Sequence, residues 1–254
     1  MQLRFSKANA KIKALENVDG IKPYLAGKRK VYSFDLLSGH NCPYAKNCLS
    51  KAVTQPDGRR KIVDGPDMQF RCFSASQEVL FPALYKLREG NTEVLKIGKV
   101  SDVADALENA MPKNAGVIRI HVGGDFTTRR YFEGWLELAK RREDVLFYAY
   151  TKSLPFWVKL ENKLENVSNF VLTASYGGHK DSLIVEHNLR NVVVVKSEAE
   201  AATLKLAIDH DDSHAADPSK RGESFALLIH GPQAAGSDWG AAVRNLKGVG
   251  SYKR

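Results

Sequence analysis

Short apolar runs alternate with amphipathic segments along most of the chain. The runs are rich in β-branched and aromatic residues, which is typical of strands. They cover residues 30–37, 116–122, 145–151, 169–175, 191–196 and 224–230. Helical spacing of apolar residues marks 76–90, 128–144 and 197–208, and a further helix is expected around 101–110. The pattern therefore predicts repeated strand–helix units.

Two of these segments carry a clear apolar face. Residues 76–90 predict one helix that ends at a glycine, a favoured stop signal, and buries Val79, Leu80, Ala83, Leu84 and Leu87. Residues 128–144 predict a helix that buries Tyr131, Phe132, Trp135, Leu136 and Ala139. In contrast, residues 209–223 are polar and lack an apolar period, so we expect a mobile loop without chemistry there.

The alternation favours a parallel sheet with right-handed crossovers. Six strand–helix units over residues 30–248 predict an α/β fold, a partial (β/α)6 TIM-like barrel of parallel strands, with a doubly wound open sheet as the alternative. No linker divides the chain, so residues 1–254 are expected to form a single α/β domain, with the loop 38–76 inserted after the first strand.

The composition bears on where in the cell the protein is located. Hydrophobic residues make up 43% and charged residues 26% of the 254, as in ordinary globular proteins. Eighteen apolar residues never run together, and the amino-terminal segment has no signal-peptide core. We therefore expect a cytoplasmic protein with no membrane contact.

The net charge of +9 favours a polyanionic partner, and nucleic acid is the expected example. The basic residues, however, stand in short groups that also suit solvated helix faces. These groups lie at residues 27–30, 58–61, 129–130 and 140–142.

All three cysteines, Cys42, Cys48 and Cys72, lie in one short part of the chain. An odd number of cysteines in a reducing compartment argues against structural disulfides. Because they cluster beside loop-forming residues, metal binding is favoured over three small buried hydrophobes. Structural zinc would need His40 as the fourth ligand. A 4Fe–4S cluster held by three cysteines would leave one iron open to a small molecule.

Polar residues follow the predicted strands, and their carboxyl ends meet at one crevice. In "HVGGDF" two glycines allow close backbone approach, and an acid beside them accepts hydrogen bonds from an amine or hydroxyl. A lysine among hydroxyl groups after the next strand suits a carboxylate or phosphate. The candidate cofactor-binding residues are His121, Gly123, Gly124, Asp125, Tyr150, Lys152 and Ser175. This set suits a zwitterion or a nucleotide.

A cysteine loop after the first strand and a Gly-Gly-acid turn after the second resemble the radical S-adenosylmethionine enzymes. The resemblance implies that Cys42, Cys48 and Cys72 hold a 4Fe–4S cluster. It also implies that the open iron binds the amino and carboxylate groups of S-adenosylmethionine, and that residues 123–125 contact the methionine amine. The superfamily's usual C-x3-C-x2-C loop is absent from this chain.

A second resemblance covers residues 30–240. The runs at 119–154, 71–76 and 227–237 resemble the phage "gene product 88" family. This resemblance implies a phage-encoded or phage-like protein, in the host cytoplasm, whose family has no established biochemical role.

The leading hypothesis is an iron–sulfur protein with one 4Fe–4S cluster and an open iron. As an enzyme it would cleave S-adenosylmethionine reductively to begin radical chemistry. The first alternative is an iron–sulfur redox, electron-transfer or sensor protein without that chemistry. The second is a basic nucleic-acid-binding module with structural or zinc-bound cysteines. The expected partners are a small molecule at the open iron and a nucleic acid.

Overall fold

The computed structural model of the chain describes residues 3–246. The strands are β1 (Ser6–Lys7), β2 (Lys30–Phe34), β3 (Ser50–Thr54), β4 (Arg60–Asp64), β5 (Ala115–Ile120), β6 (Leu146–Thr151), β7 (Phe170–Ser175), β8 (Asn191–Val195), β9 (Ala207–Ile208) and β10 (Phe225–Leu228).

The α-helices are α1 (Ala10–Lys13), α2 (Lys22–Leu25), α3 (Phe73–Leu80), α4 (Pro82–Asn91), α5 (Val100–Ala110), α6 (Arg129–Arg141), α7 (Leu154–Leu164), α8 (Ser182–Glu186), α9 (Glu198–Thr203), α10 (Ser213–Ala216) and α11 (Asp238–Asn245). Short 3-10 turns lie at Ala14–Asn17, Ala26–Lys28, Thr92–Lys96 and Pro218–Lys220. Within residues 3–246, no helix combines the length and apolarity that crossing a membrane requires.

A mostly parallel eight-stranded sheet organises the fold. Its order is β1-β2-β5-β6-β7-β8-β10-β9, and the six predicted strands pair in parallel as its central part. Strand β1 is antiparallel to β2, and the hairpin β3–β4 stands apart as a second sheet. The mixed α/β prediction is confirmed. Among the described residues the sheet does not close into a barrel, so the TIM-like and radical-SAM-like forms of the prediction are not confirmed.

The strand order also separates this sheet from the doubly wound alternative. The six parallel strands follow chain order without reversal, and right-handed crossovers then place their helices on one face. On that face Trp135 of α6 packs in one cluster with Ile118 and Phe147. The opposite face, which includes Tyr148, is covered by Ile12 near the amino terminus and by α10, which lies in the connection between β9 and β10.

Helix α6 confirms the periodicity of its segment. The five residues predicted to be buried, Tyr131, Phe132, Trp135, Leu136 and Ala139, are all buried. Thr128 caps the helix and accepts a hydrogen bond from the Tyr131 N–H at 3.2 Å.

The predicted helix at 76–90 is wrong as a single element. Helix α3 ends at Leu80, Phe81 takes an extended conformation, and α4 starts at Pro82. Proline lacks the N–H that would continue the helix, and it disfavours helical backbone in the preceding residue. Leu80 and Phe81 are consequently 63% and 55% exposed. The buried face is polar instead, and it contains Ser74, Ser76, Glu78, Arg88 and Asn91.

The expectation of a mobile loop at 209–223 is also wrong. This segment contains α10 and the 3-10 turn Pro218–Lys220, and Ala215 and Ala216 are buried against the sheet. Its acidic side chains hold its own backbone: Asp217 accepts from the Ser219 N–H at 2.9 Å. Backbone N–H groups that donate to nearby carboxylates order this segment, although its sequence has no apolar period.

We predict that Asn169, which lies just before β7, is a stabilising junction between α6 and β6. Its Nδ2, which carries two hydrogens, lies within hydrogen-bond distance, 2.8–2.9 Å, of the carbonyl oxygens of Ala139, Arg142 and Val145. Asn169→Ala leaves these carbonyls without that donor and should lower the free energy of unfolding by about 1–3 kcal/mol in urea denaturation.

Asn166→Ala is the matched control, because Asn166 is exposed in the same connection and donates only to Asn162 O. Its effect should stay within about 0.5 kcal/mol. Equal losses in the two variants would contradict the junction role.

Candidate functional site

A cavity of about 750 Å³ lies at the carboxyl ends of the parallel strands. The three cysteines and the seven candidate cofactor-binding residues all line it: Cys42, Cys48, Cys72, His121, Gly123, Gly124, Asp125, Tyr150, Lys152 and Ser175. Further lining residues come from the amino-terminal segment, from the start of α3, and from the ends of β8 and β10. The predicted strand ends therefore meet around one cavity, as expected. The contacts of each residue indicate its role.

The Gly123–Gly124 turn is shaped by contacts inside the protein. A Cβ at Gly123 would lie 2.5 Å from Ser74 Oγ, and one at Gly124, where φ is +86°, would lie 2.6 Å from Leu36 Cβ. Asp35 Oδ1 accepts from the backbone N–H of Gly123 at 3.3 Å. The glycines thus permit close approach, as expected, but the approaching groups are protein side chains.

A buried ion pair lies under this turn. Glu78 Oε1 accepts from the Ser38 N–H at 2.9 Å and from Arg88 Nη1 at 2.7 Å, and the two charged side chains are 0% and 2% exposed. Arg88 Nη1 also donates to Ser74 Oγ at 2.7 Å. These bonds join the cysteine loop, α3 and α4. Sequence reasoning missed the pair because Glu and Arg on helices are usually solvated.

Asp125 ties the turn to the end of β6. Its Oδ1 accepts from Thr151 Oγ1 at 2.6 Å and from the Phe126 N–H at 2.7 Å, and its Oδ2 accepts from the Lys152 N–H at 2.8 Å. Burial raises the pKa of Asp125, while these donors act in the opposite direction. The carboxylate therefore has a structural task in addition to facing the cavity.

The side chain of Lys152 donates hydrogen bonds to the end of β7. Its Nζ donates to Ser175 Oγ at 2.7 Å, to Ser175 O at 3.1 Å and to Tyr176 O at 2.5 Å. An ammonium group has three donors, so all are used. Lys152 contributes charge to the cavity, but it has no hydrogen left to donate to a ligand.

His121 is neutral in this site. Burial, together with the nearby Arg119, lowers the pKa of His121 to about 3. Its Nε2 lies 3.0 Å from the Tyr131 hydroxyl, and its buried Nδ1 has no hydrogen-bond partner. The residue has φ +67°, which turns the backbone from β5 into the glycine turn.

The three cysteines are free thiols that line the cavity. Burial raises the pKa of Cys42 well above its usual range, and Asp125 and the neighbouring thiols add to the effect. Burial likewise raises the pKa of Cys72 to about 11. Both thiols are therefore protonated at neutral pH, and a protonated thiol is a poor nucleophile.

The metal prediction is wrong. Residues 3–246 contain no group of three or more Cys, His, Asp or Glu side chains arranged to hold a metal ion. This finding overturns the 4Fe–4S cluster on Cys42, Cys48 and Cys72, together with S-adenosylmethionine bound at its open iron and iron–sulfur redox chemistry. The zinc alternative fails on the same finding, because no such group that includes His40 occurs among residues 3–246. The cysteines share a cavity wall rather than an ion.

A second carboxylate, which sequence reasoning missed, lies on the other side of the cavity. Asp212 accepts from Arg119 at 2.5 Å and from the hydroxyls of Tyr148 and Tyr150 at 3.0 and 3.3 Å, and Lys11 lies 3.1 Å away. Burial opposes its ionisation, but Arg119 and Lys11 hold the pKa of Asp212 well below its usual range. The hydroxyl of Tyr150, a predicted ligand contact, is thus engaged with Asp212.

The basic surface gives no support to a nucleic-acid partner. In the group at 140–142, Arg141 lies 2.5 Å from Asp105 and 3.0 Å from Glu137, and Arg142 lies 2.9 Å from Asp144. Carboxylates next to these cations offset the charge that would otherwise attract phosphates.

Comparison with known proteins gives one match. The family model described as "Gene product 88" matches residues 3–246, which confirms the resemblance to this phage gene-product family. No curated protein and no solved structure matches the chain. The resemblance to radical S-adenosylmethionine enzymes therefore has no support.

We predict that Asp125→Asn destabilises the fold by about 1–3 kcal/mol, since an amide would place an N–H donor against the donors of Thr151, Phe126 or Lys152. Urea denaturation measures the loss. Asp102→Asn is the control, because Asp102 is exposed on α5 and accepts only from Ser101 Oγ. A stability of Asp125→Asn equal to that of the control would show that Asp125 does not hold β5 to β6.

Proposed function

The chain belongs to the Gene product 88 family, whose description states no activity, so we propose from the geometry that it binds a small organic molecule in the strand-end cavity. The observation that carries the proposal is the gathering of the carboxyl-end residues and all three cysteines around one space of about 750 Å³. Ligand sites in α/β proteins lie at this edge, and their volumes are of this size.

The character of the wall supports binding. Apolar residues that include Phe70, Phe73, Val194 and Ile229 alternate with a few charged and polar groups. This mixture buries the body of a small molecule and orients its polar atoms. The candidate residues His121, Gly123, Gly124, Asp125, Tyr150, Lys152 and Ser175 keep their proposed place in this ligand site, with Asp125 and Lys152 acting mainly by shaping the wall.

The state of the thiols favours a binding role over covalent chemistry. The raised pKa values of Cys42 and Cys72 keep both protonated near pH 7, whereas a nucleophilic cysteine needs the thiolate. We propose that these residues provide soft, weakly polar contacts to the ligand. Free thiols agree with the reducing host cytoplasm, which we propose as the location.

We also propose that the described residues form a single α/β domain. One sheet runs from β1 near the amino terminus to β10 near the end of the described chain. Thermal or urea unfolding should then show one transition, with coincident curves from far-UV circular dichroism and from fluorescence of Trp135 and Trp239, which lie in different core clusters. Separate midpoints for the two tryptophans, measured in single-tryptophan variants, would contradict one domain.

The cysteines provide the test of ligand binding, because all three line the cavity and the chain has no others. We predict that a filtered small-molecule extract of bacterial cells slows alkylation of these cysteines by iodoacetamide several-fold, since an occupant covers the wall. Site-resolved mass spectrometry follows each thiol. Val194→Trp, which fills the cavity from β8, should remove the protection.

An added surface thiol serves as the internal control. Ser101→Cys places a cysteine on α5, outside the cavity, where residue 101 is exposed. Its alkylation should not change with the extract. Equal slowing at all four thiols would mean that the extract consumes the reagent. Unprotected cavity thiols, with no bound small molecule in native mass spectra, would overturn the proposed function.

A further inference from the structure

Two cations share one carboxylate in the cavity wall. Lys11 Nζ lies 3.1 Å from Asp212 Oδ1, and Arg119 Nη1 lies 2.5 Å from Asp212 Oδ2. Each of these oxygens also accepts from a tyrosine hydroxyl. Both oxygens of Asp212 are therefore engaged with protein donors, and the buried carboxylates Asp35 and Asp209 interact electrostatically with Arg119 and Lys11, respectively, without lining the cavity.

Both cations keep unused donors. Arg119 Nε is buried and has no hydrogen-bond partner, and the guanidinium lies over the ring of Tyr150 at 5.0 Å. Lys11 contacts one protein acceptor with an ammonium group that has three hydrogens. The side chains of Arg119 and Lys11 are 11% and 29% exposed, so the first is nearly withdrawn from water and the second is reached from the cavity.

Asp125, the other carboxylate that lines the cavity, is engaged with the donors of Thr151, Lys152 and Phe126. The charged wall carries four cations, Lys11, Arg71, Arg119 and Lys152, against Asp125 and Asp212, and Arg71 is paired with Asp64 at 2.8 Å. The unused donors of Lys11 and Arg119, together with this excess of lining cations, favour an anion here.

His230 adds a hydrogen-bond acceptor to the same wall. Its Nδ1 lies 3.2 Å from Leu228 O, which assigns the proton to Nδ1 and a lone pair to Nε2. Burial, together with the nearby Lys11 and Arg119, lowers the pKa of His230 to about 4, so the ring is neutral near pH 7. The ring is held against Phe73, with 4.3 Å between ring centroids.

We propose that the ligand is a small organic anion, a carboxylate or phosphate on an apolar body, whose charged group binds Lys11 and Arg119. A hydroxyl or amine of the same ligand donates to His230 Nε2. This inference rests on the proposed function and names the ligand class that the cavity accepts. The apolar body lies against the wall that includes Phe70 and Val194.

Three matched probes test the anion site: benzoate, phenyl phosphate and neutral benzamide. Titrations followed by NMR should show benzoate or phenyl phosphate binding at least about tenfold more tightly than benzamide, since about 1.4 kcal/mol corresponds to a factor of ten. The tighter of the two anions distinguishes a carboxylate from a phosphate ligand.

Variants of Lys11 test whether the preference for anions depends on this residue. Lys11→Met should weaken binding of the preferred anion about tenfold and leave benzamide unchanged, whereas Lys11→Arg should keep the preference. Lys13→Met is the matched control, because it removes the same charge from an exposed position of the same helix, and it should behave as the unaltered protein.

Equal affinities for the three probes would overturn the anion site, and so would an anion preference that survives Lys11→Met. Absence of benzoate and phenyl phosphate binding at millimolar concentrations would overturn it as well. The proposed function fails separately, by unprotected thiols in the alkylation experiment, so the two failures are distinguishable.

Discussion

The buried pair of Glu78 and Arg88 is the interaction on which the arrangement of the site depends. Glu78 is fully buried and Arg88 is 2% exposed, and Glu78 Oε1 accepts from Arg88 at 2.7 Å and from the Ser38 N–H, while Arg88 also donates to Ser74. Glu78 Oε2 and Arg88 Nε are buried without a hydrogen-bond partner, so the pair depends on these few contacts. Removing one member of such a pair typically costs about 3–5 kcal/mol. The pair holds α3 against α4 and draws the cysteine loop onto the glycine turn, which brings Cys42 and Cys72 to the cavity.

The contacts of two further carboxylates, Asp125 and Asp212, determine which groups of the cavity wall are available to a ligand. Asp125 holds the turn after β5 to the end of β6 through two donors, Thr151 and Lys152. Asp212 contacts Lys11, Arg119 and two tyrosine hydroxyls from segments far apart in sequence. Protein donors thus satisfy both acids in full. The groups left over are neutral thiols, a neutral histidine acceptor and cations in excess of acids, and this combination suits recognition of an anion better than acid–base or metal chemistry.

The grouping of the cysteines shows how a correct observation led to a wrong assignment. Cys42 and Cys48 follow β2, and Cys72 precedes α3, so the topology delivers all three to the same strand-end edge. Metal coordination requires a closed set of ligands, and no set of Cys, His, Asp or Glu side chains among residues 3–246 fits an ion. Proximity in sequence indicated a shared site, but it did not indicate what the site holds.

The sequence by itself determined the six parallel strands, helix α6 and the strand-end residues that line the cavity. These features follow from local periodicity and from the rule that parallel strands end on one edge, so short windows of sequence are sufficient. The tertiary structure decided the polar burial of Glu78 and Arg88, and the meeting of Lys11, Arg119 and Asp212 across about two hundred positions. Each of these depends on whether a charged side chain finds its partner in space. That pairing is a property of the packed chain and leaves no period in the sequence.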